Sequence, residues 1–232
     1  EATHHLLQVV GFLAMEPPSS QSSDAIRDEQ AKVLRTVRSL DNAHMVRGQF
    51  RGYRDEPGVH KDSYIGTYAA LKLWIDSWRW AGVPFFVRAG KALRKTVTEV
   101  VVELKTPPQV VFQEAAFSKG NYVRFRLGPE VQIAIGARAK RPGDGMAGRP
   151  VELAVVQQSS GDEMDAYERL LGDAMEGDQT LFARWDTVEA AWRIVDPVIH
   201  GPSALWEYEP GSWGPPQADR LVTDVGGWHT PE

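Results

Sequence analysis

The sequence contains no cysteine. That excludes disulfides, thiolate metal sites and thiol nucleophiles, and it fits a reducing, cytoplasmic compartment. No apolar run approaches the ~18–20 residues needed to cross a bilayer, and no secretory leader opens the chain. The first residue is Glu1 rather than Met, which fits a processed or trimmed piece of a longer chain. An excess of basic charge is missing too: 26 Lys and Arg stand against 31 Asp and Glu, for a net charge of −5. A nucleic-acid binder would ordinarily present a basic face. A local cationic pocket for a small anion remains compatible with that charge. Internal repeats, the HExxH metal spacing and the GxSxG elbow are all absent.

What is present suffices for a substantial core. The 232 residues are 42% hydrophobic and include eight Trp and eight Phe. That length permits one large domain or two small ones. The organising stretch is Ser63–Thr98. Leu71, Trp74, Ile75 and Trp78 fall at i, i+3, i+4 and i+7, which predicts a long helix with one buried face. Gly82 and Pro84 would end it. Phe85, Phe86 and Val87 then predict a strand. It delivers Arg88-Ala89-Gly90-Lys91 into a cationic turn followed by Arg94 and Lys95.

On either side of this stretch the pattern is regular. Leu6, Val9, Val10 and Leu13 predict a helix over 1–15, stopped by Pro17-Pro18. A second helix is expected over 24–40, capped by Ser23 or Asp24, with Asp28-Glu29 in its first turn. A short strand is expected at 45–50, then a charged loop over 51–62. Strands are expected at 98–105, 121–127, 130–138 and 150–157, each with partial alternation. Helices return at 166–175, at the Asp186–Glu189 capping-box pattern ahead of Pro197, and at 215–225 before Gly226-Gly227. This order predicts an α+β fold: a large, mainly antiparallel β-sheet with helices packed on one face. Residues 143–148 match G-x-G-x-x-G, but Arg149-Pro150 leads into a strand rather than a helix, so they read as a loop.

Six histidines are candidates for proton transfer. His4 and His5 are adjacent on a helix, so at most one can project into a given site.

The H-L-L-Q of His5–Gln8 and the A-M-E-P of Ala14–Pro17 are similar to the opening of the C-terminal half of glucose-6-phosphate dehydrogenases. The resemblance continues through I-R-D-E at 26–29, R-G-Q-F at 47–50 and R-W-A-G-V-P-F at 79–85. It continues through R-A-G-K-A-L at 88–93, A-Y-E-R-L-L at 166–171, A-W-R at 191–193 and G-S-W-G-P at 211–215. It spans nearly the whole chain and keeps its order.

That resemblance implies that residues 1–232 are the C-terminal, substrate-binding and dimerisation domain. The Rossmann half that binds NADP would lie outside this chain, so the isolated piece is expected to be inactive. The family oxidises glucose 6-phosphate to 6-phosphogluconolactone with NADP as hydride acceptor, and its sheet faces a twofold mate in a homodimer. His5 maps onto the general base, and Lys91 maps onto a sugar-contacting lysine. Two positions depart from the family. His4 stands where Asn is usual, and Thr96 stands where a second substrate-binding Lys or Arg is usual. Either Lys95 replaces that cation after a small shift of the turn, or one positive charge is missing. Tyr167 matches a tyrosine near the substrate pocket, though a packed aromatic explains it as well. The competing reading is a non-catalytic paralogue or dimerisation module that keeps the sheet alone.

Overall fold

The computed structural model describes residues 2–105, 108, 120–143, 145–157, 166–180, 182–199 and 203–231. The chain divides into two compact units, residues 1–94 with 165–228, and residues 95–164 with 229–232.

The first unit holds helices α1 (Ala2–Ala14) and α2 (Ser23–Thr36) and strands β1 (Met45–Phe50), β2 (Tyr68–Trp74) and β3 (Pro84–Gly90). Helices α3 (Ala166–Glu176) and α4 (Trp185–Ile199) and strand β8 (Leu205–Tyr208) follow, then 3-10 turns at Pro216–Leu221 and Thr223–Val225. The strand order is β3-β2-β1-β8. All pairings are antiparallel except β1 with β8.

The central correction to the sequence reading lies in β2. The expected long helix over the start of Ser63–Thr98 is a strand followed by a turn. Leu71, Leu73 and Ile75 alternate, and all three are fully buried against Leu7, Val10, Leu34, Ala191 and Ile194 of α1, α2 and α4. Tyr68 and Ala70 point the other way, into a second core with Val46, Tyr208, Ala218 and Leu221. A strand covered on both faces reads as one continuous apolar run, and such a run cannot be told from a buried helix by period alone. Trp78, expected on a buried face, is fully exposed at the tip of the β2–β3 connection. Gly82 is left-handed, as expected (φ 76°), but within a β-turn closed by the Val83 N–H to the Trp80 carbonyl at 2.9 Å, not at a helix end.

The smaller corrections share one cause: local pattern does not fix where a helix starts or stops. In α1 the buried line runs through Leu7, Val10 and Ala14 rather than Leu6, Val9 and Leu13. Ser22 caps α2, its Oγ accepting the Ala25 N–H at 3.2 Å, and only Asp24 is acidic in the first turn. Val37 and Leu40 are buried as expected, but in extended chain beyond α2, with Val37 bridged to Ile75. Arg193 of α4 satisfies the carbonyls at the end of α2, donating to Leu34 at 3.1 Å and Val37 at 2.7 Å. The 186–189 pattern does not form a capping box. Helix α4 already begins at Trp185, and the Thr187 hydroxyl donates back to the Arg184 carbonyl at 2.6 Å. The segment expected as a helix at 215–225 is helical, but in 3-10 form.

The second unit is a sheet of β4 (Thr98–Glu103), β5 (Tyr122–Gly128), β6 (Gln132–Lys140) and β7 (Gly148–Val156), in that order and antiparallel throughout. Gly148, the last residue of the glycine motif, is the first residue of β7, so the motif leads into a strand, as expected. Register gives this sheet two unlike faces. One carries Val100, Val102, Val123, Phe125, Ile133, Ile135, Leu153 and Val155. The other carries Glu99, Arg124, Arg126 and Glu152. The Glu99 carboxylate, 3% exposed, accepts from Arg124 at 3.3 Å and Arg126 at 3.1 Å and pairs with His229 at 2.6 Å. Burial alone would raise its pKa; the hydrogen bonds from His229, Arg126 and Arg124 outweigh burial and hold it below the usual range.

The α+β class and the mainly antiparallel pairing agree with the sequence reading, with the described strands shared between two four-stranded sheets. The strand assignment of β2 has a direct test. Leu73→Ala empties a fully buried site and should lower the unfolding free energy by about 2–5 kcal/mol. Trp78→Ala should change it by less than about 0.5 kcal/mol. Urea denaturation of the chain measures both, and the opposite ranking would restore the helix.

Candidate functional site

Lys91 stands one residue beyond β3, with its side chain exposed. Its backbone is not left to solvent. The Lys91 N–H donates to the Thr67 carbonyl at 2.8 Å, and the Lys91 carbonyl accepts from the Tyr208 hydroxyl at 2.8 Å. The chain then turns through Ala92, a non-glycine residue at φ 51°. The Ala92 carbonyl accepts from the Gly211 N–H at 2.8 Å, and the Arg94 N–H donates to the Ser212 carbonyl at 3.0 Å. The cationic turn is therefore clamped on one side by the start of β2 and on the other by residues 208–212. A side chain on a turn held in this way loses little backbone freedom when it engages a ligand.

The glycine before the lysine has a steric cause. A Cβ on Gly90 would lie 2.8 Å from Cδ2 of the Tyr68 ring, and a Cβ on Gly214 would overlap the same edge of that ring. Tyr68 thus leaves no room for a side chain at either glycine. It is 3% exposed, and burial pushes its phenol up to about 12, with the charge of Arg88 pulling against that. Arg88 does not share the exposure of Lys91. Its guanidinium lies 5.0 Å from the ring centres of both Trp213 and Trp228, and burial draws its pKa below the ordinary value. Within R-A-G-K the arginine therefore holds the fold, and the lysine faces outward.

The remaining predicted residues fall as follows. His5 lies in the first turn of α1 beside His4; their side chains are outside the described set. Helix α1 packs on β3, and the Trp80 indole N–H, just ahead of β3, donates to the Ala14 carbonyl at the end of α1 at 2.9 Å. Lys95 and Thr96 belong to the second unit and are both exposed in irregular chain before β4. Tyr167 on α3 is 78% exposed within this chain. His44 pairs with Asp41 at 2.7 Å and stacks edge-on to Trp74; His200 lies outside the described residues. Among the described residues no group of three or more acidic or histidine side chains could hold a metal ion.

Sequence reasoning missed Thr67, Tyr208 and the 209–212 segment as supports of the turn. Only the G-S-W-G-P motif hinted at the last of these. The parallel strand β8, which brings Tyr208 in, is four residues long and carries no alternation of its own.

The sequence matches the family model described as glucose-6-phosphate dehydrogenase, C-terminal domain, over residues 2–229. The chain belongs to the glucose-6-phosphate dehydrogenase family. It is 42% identical to a glucose-6-phosphate 1-dehydrogenase of Aggregatibacter actinomycetemcomitans, a match covering 98% of this chain and 50% of that protein. The glucose-6-phosphate 1-dehydrogenase structure from Mycobacterium avium is similar over 100% of this chain and 50% of that one, with a TM-score of 0.90 and 43% identity. A structure of a glucose-6-phosphate dehydrogenase in complex with its substrate glucose 6-phosphate matches with a TM-score of 0.84 at 29% identity, again over 50% of that chain. The chain therefore spans about half the length of these relatives.

The contribution of the close packing of Gly90 and Gly214 on Tyr68 is measurable. Gly214 has φ 101°, a region costly for any side chain, and its Cβ would meet Tyr68. Gly214→Ala should lower stability by about 1–3 kcal/mol, the scale of local backbone strain. Gly211→Ala at φ 79° meets no neighbour and should cost only the smaller, conformational part. Denaturation midpoints of the two variants give the comparison.

Proposed function

We propose that this chain is the C-terminal half of an NADP-dependent glucose-6-phosphate dehydrogenase and supplies its general base and part of its sugar-binding surface. The observation that carries the reading is the family match over residues 2–229; the H-L-L-Q and R-A-G-K motifs that hold His5 and Lys91 resemble those of the family. The geometry supports it. Helix α1, which carries His5, packs against β3, the strand that ends one residue before Lys91, and the C-terminal end of α1 meets the chain just ahead of that strand.

In this reading the His5 imidazole, neutral at rest, accepts the proton of the anomeric hydroxyl as that carbon is oxidised to the lactone carbonyl. Lys91 donates charge-assisted hydrogen bonds that fix the sugar against the base. The G-x-G-x-x-G stretch ends at Gly148, the first residue of β7, rather than at a helix start. We assign the cofactor to the half of the enzyme outside this chain, and the complete enzyme to the cytoplasm. Thr96 stands where the resemblance puts a cation and leaves room for the non-catalytic alternative; either Lys95 has replaced that cation or the site has one positive charge fewer.

The complete enzyme tests these roles. His5→Asn should leave substrate binding intact and lower kcat by about 10²–10⁴, and the acidic limb of the pH–rate profile should go with it. His4→Asn should be close to neutral. Loss of activity with His4→Asn alone would shift the assignment by one residue, and a complete protein without turnover would favour the paralogue. Lys95→Ala raises KM only if Lys95 has replaced the cation missing at Thr96.

The second sheet supports a homodimer. Its apolar face leaves Ile133 49%, Ile135 53%, Leu153 70% and Val155 67% exposed, side chains that the strand register brings together into one patch, the kind of surface that marks an interaction site. Sedimentation at micromolar concentration should show a dimer burying at least ~1,000 Å², and Leu153→Glu should return it to monomer. A well-folded wild-type monomer would overturn this.

A further inference from the structure

We infer that Tyr208 is a positioning residue for substrate binding, acting through a hydrogen-bond relay that ends on the backbone of Lys91. This rests on the reading of Lys91 as a sugar ligand and extends it to residues with no assigned role.

The relay has a defined direction. The Tyr208 hydroxyl lies 2.8 Å from the Lys91 carbonyl, 3.0 Å from the Thr67 hydroxyl and 3.3 Å from the Thr67 carbonyl. A phenol has one proton to give. The shortest contact is to Lys91, a carbonyl that can only accept. The Tyr208 oxygen is then free to accept from the Thr67 hydroxyl, which itself accepts the Phe50 N–H at 3.0 Å. The order is Phe50 N–H to Thr67 hydroxyl to Tyr208 hydroxyl to Lys91 carbonyl. Each link polarises the next, so the chain is stronger than its separate members. Thr67 also holds the Lys91 N–H through its own carbonyl at 2.8 Å. Both peptide groups of Lys91 are thereby fixed to the end of β1 and the approach to β2.

Packing keeps the relay still. Tyr208 is 4% exposed, and its ring contacts those of Tyr68 at 5.5 Å and Phe50 at 6.4 Å between centres. A Cβ on Gly48 would lie 3.0 Å from the Tyr208 ring, so that glycine leaves it room. The relay holds the root of an exposed lysine, the long side chain that loses most rotamer freedom on binding. Fixing its backbone reduces what remains to be ordered when the sugar arrives.

The test uses the complete enzyme. Tyr208→Phe keeps the ring and removes only the hydroxyl. It should raise KM for glucose 6-phosphate about fivefold to twentyfold, the range of one lost hydrogen bond with its acceptor left unpaired, while kcat stays within about twofold. Combined with Lys91→Ala, the same change should add less than about twofold, because the relay then has no side chain to aim. Thr67→Val should act in the same direction, and Thr67→Ser, which restores the hydroxyl, should recover most of the loss. Thermal midpoints separate this from unfolding. An unchanged KM in Tyr208→Phe overturns the proposal, as does an effect that persists in full beside Lys91→Ala. If Lys91→Ala itself leaves KM unchanged, the ligand role of Lys91 fails first, and the relay's purpose fails with it.

Discussion

The first unit depends on β2 being buried on both sides. Its pleat sends Leu71, Leu73 and Ile75 into the core shared with α1, α2 and α4, and Tyr68 and Ala70 into the core closed by β8 and the 3-10 turns. Each fully buried Leu or Ile contributes about 1.5–3 kcal/mol by leaving water. A one-residue slip would exchange the two sets and place Tyr68 among the helices. Seven paired positions with β3, from Tyr68–Gly90 to Trp74–Pro84, fix the strand against that slip. The same register decides where β3 stops and therefore where Lys91 is presented.

Around that register, residues of apparently chemical character divide into those that hold the fold and those that face outward. Arg88 is stacked between two tryptophans, and Arg193 closes the end of α2. Lys72 lies over Trp74 and Phe86 with its ammonium 2.7 Å from Asp224. These cations bury their stems and satisfy their charges internally. Lys91 differs in having its backbone bound and its side chain exposed. The fold anchors the root of this lysine and leaves its ammonium at the surface.

The second unit solves the two-faced-sheet problem differently. One face neutralises buried charge by pairing Glu99 with Arg124, Arg126 and His229, and Glu152 with Arg124 and Tyr122. Breaking one member of such a network would leave the others desolvated without partners, so the cost of a single loss is large. The opposite face has no polar side chain among the register-matched residues of its central rows. An antiparallel sheet tolerates one wet face when that face is polar. This one is apolar, which makes a covering surface the natural complement.

Much of this was legible without coordinates. The helices α1, α2 and α3 were legible from apolar residues on one face, α4 from a cap-like pattern ahead of Pro197, and β4–β7 from partial alternation, because those elements bury one face or lie between strong breakers. The order of the R-A-G-K, H-L-L-Q and A-Y-E-R-L-L motifs named the family and pointed to His5 and Lys91. The sequence by itself therefore determined the fold class and the candidate chemistry, since both are carried by local pattern and residue type. Only the tertiary structure decided that Tyr68–Trp74 is a strand, because burial on both faces erases the alternation that would reveal it. It alone brought Tyr208 to Lys91 across 117 residues of chain, through the parallel pairing of β8 with β1. That contact depends on register between distant strands, which no local run of residues encodes.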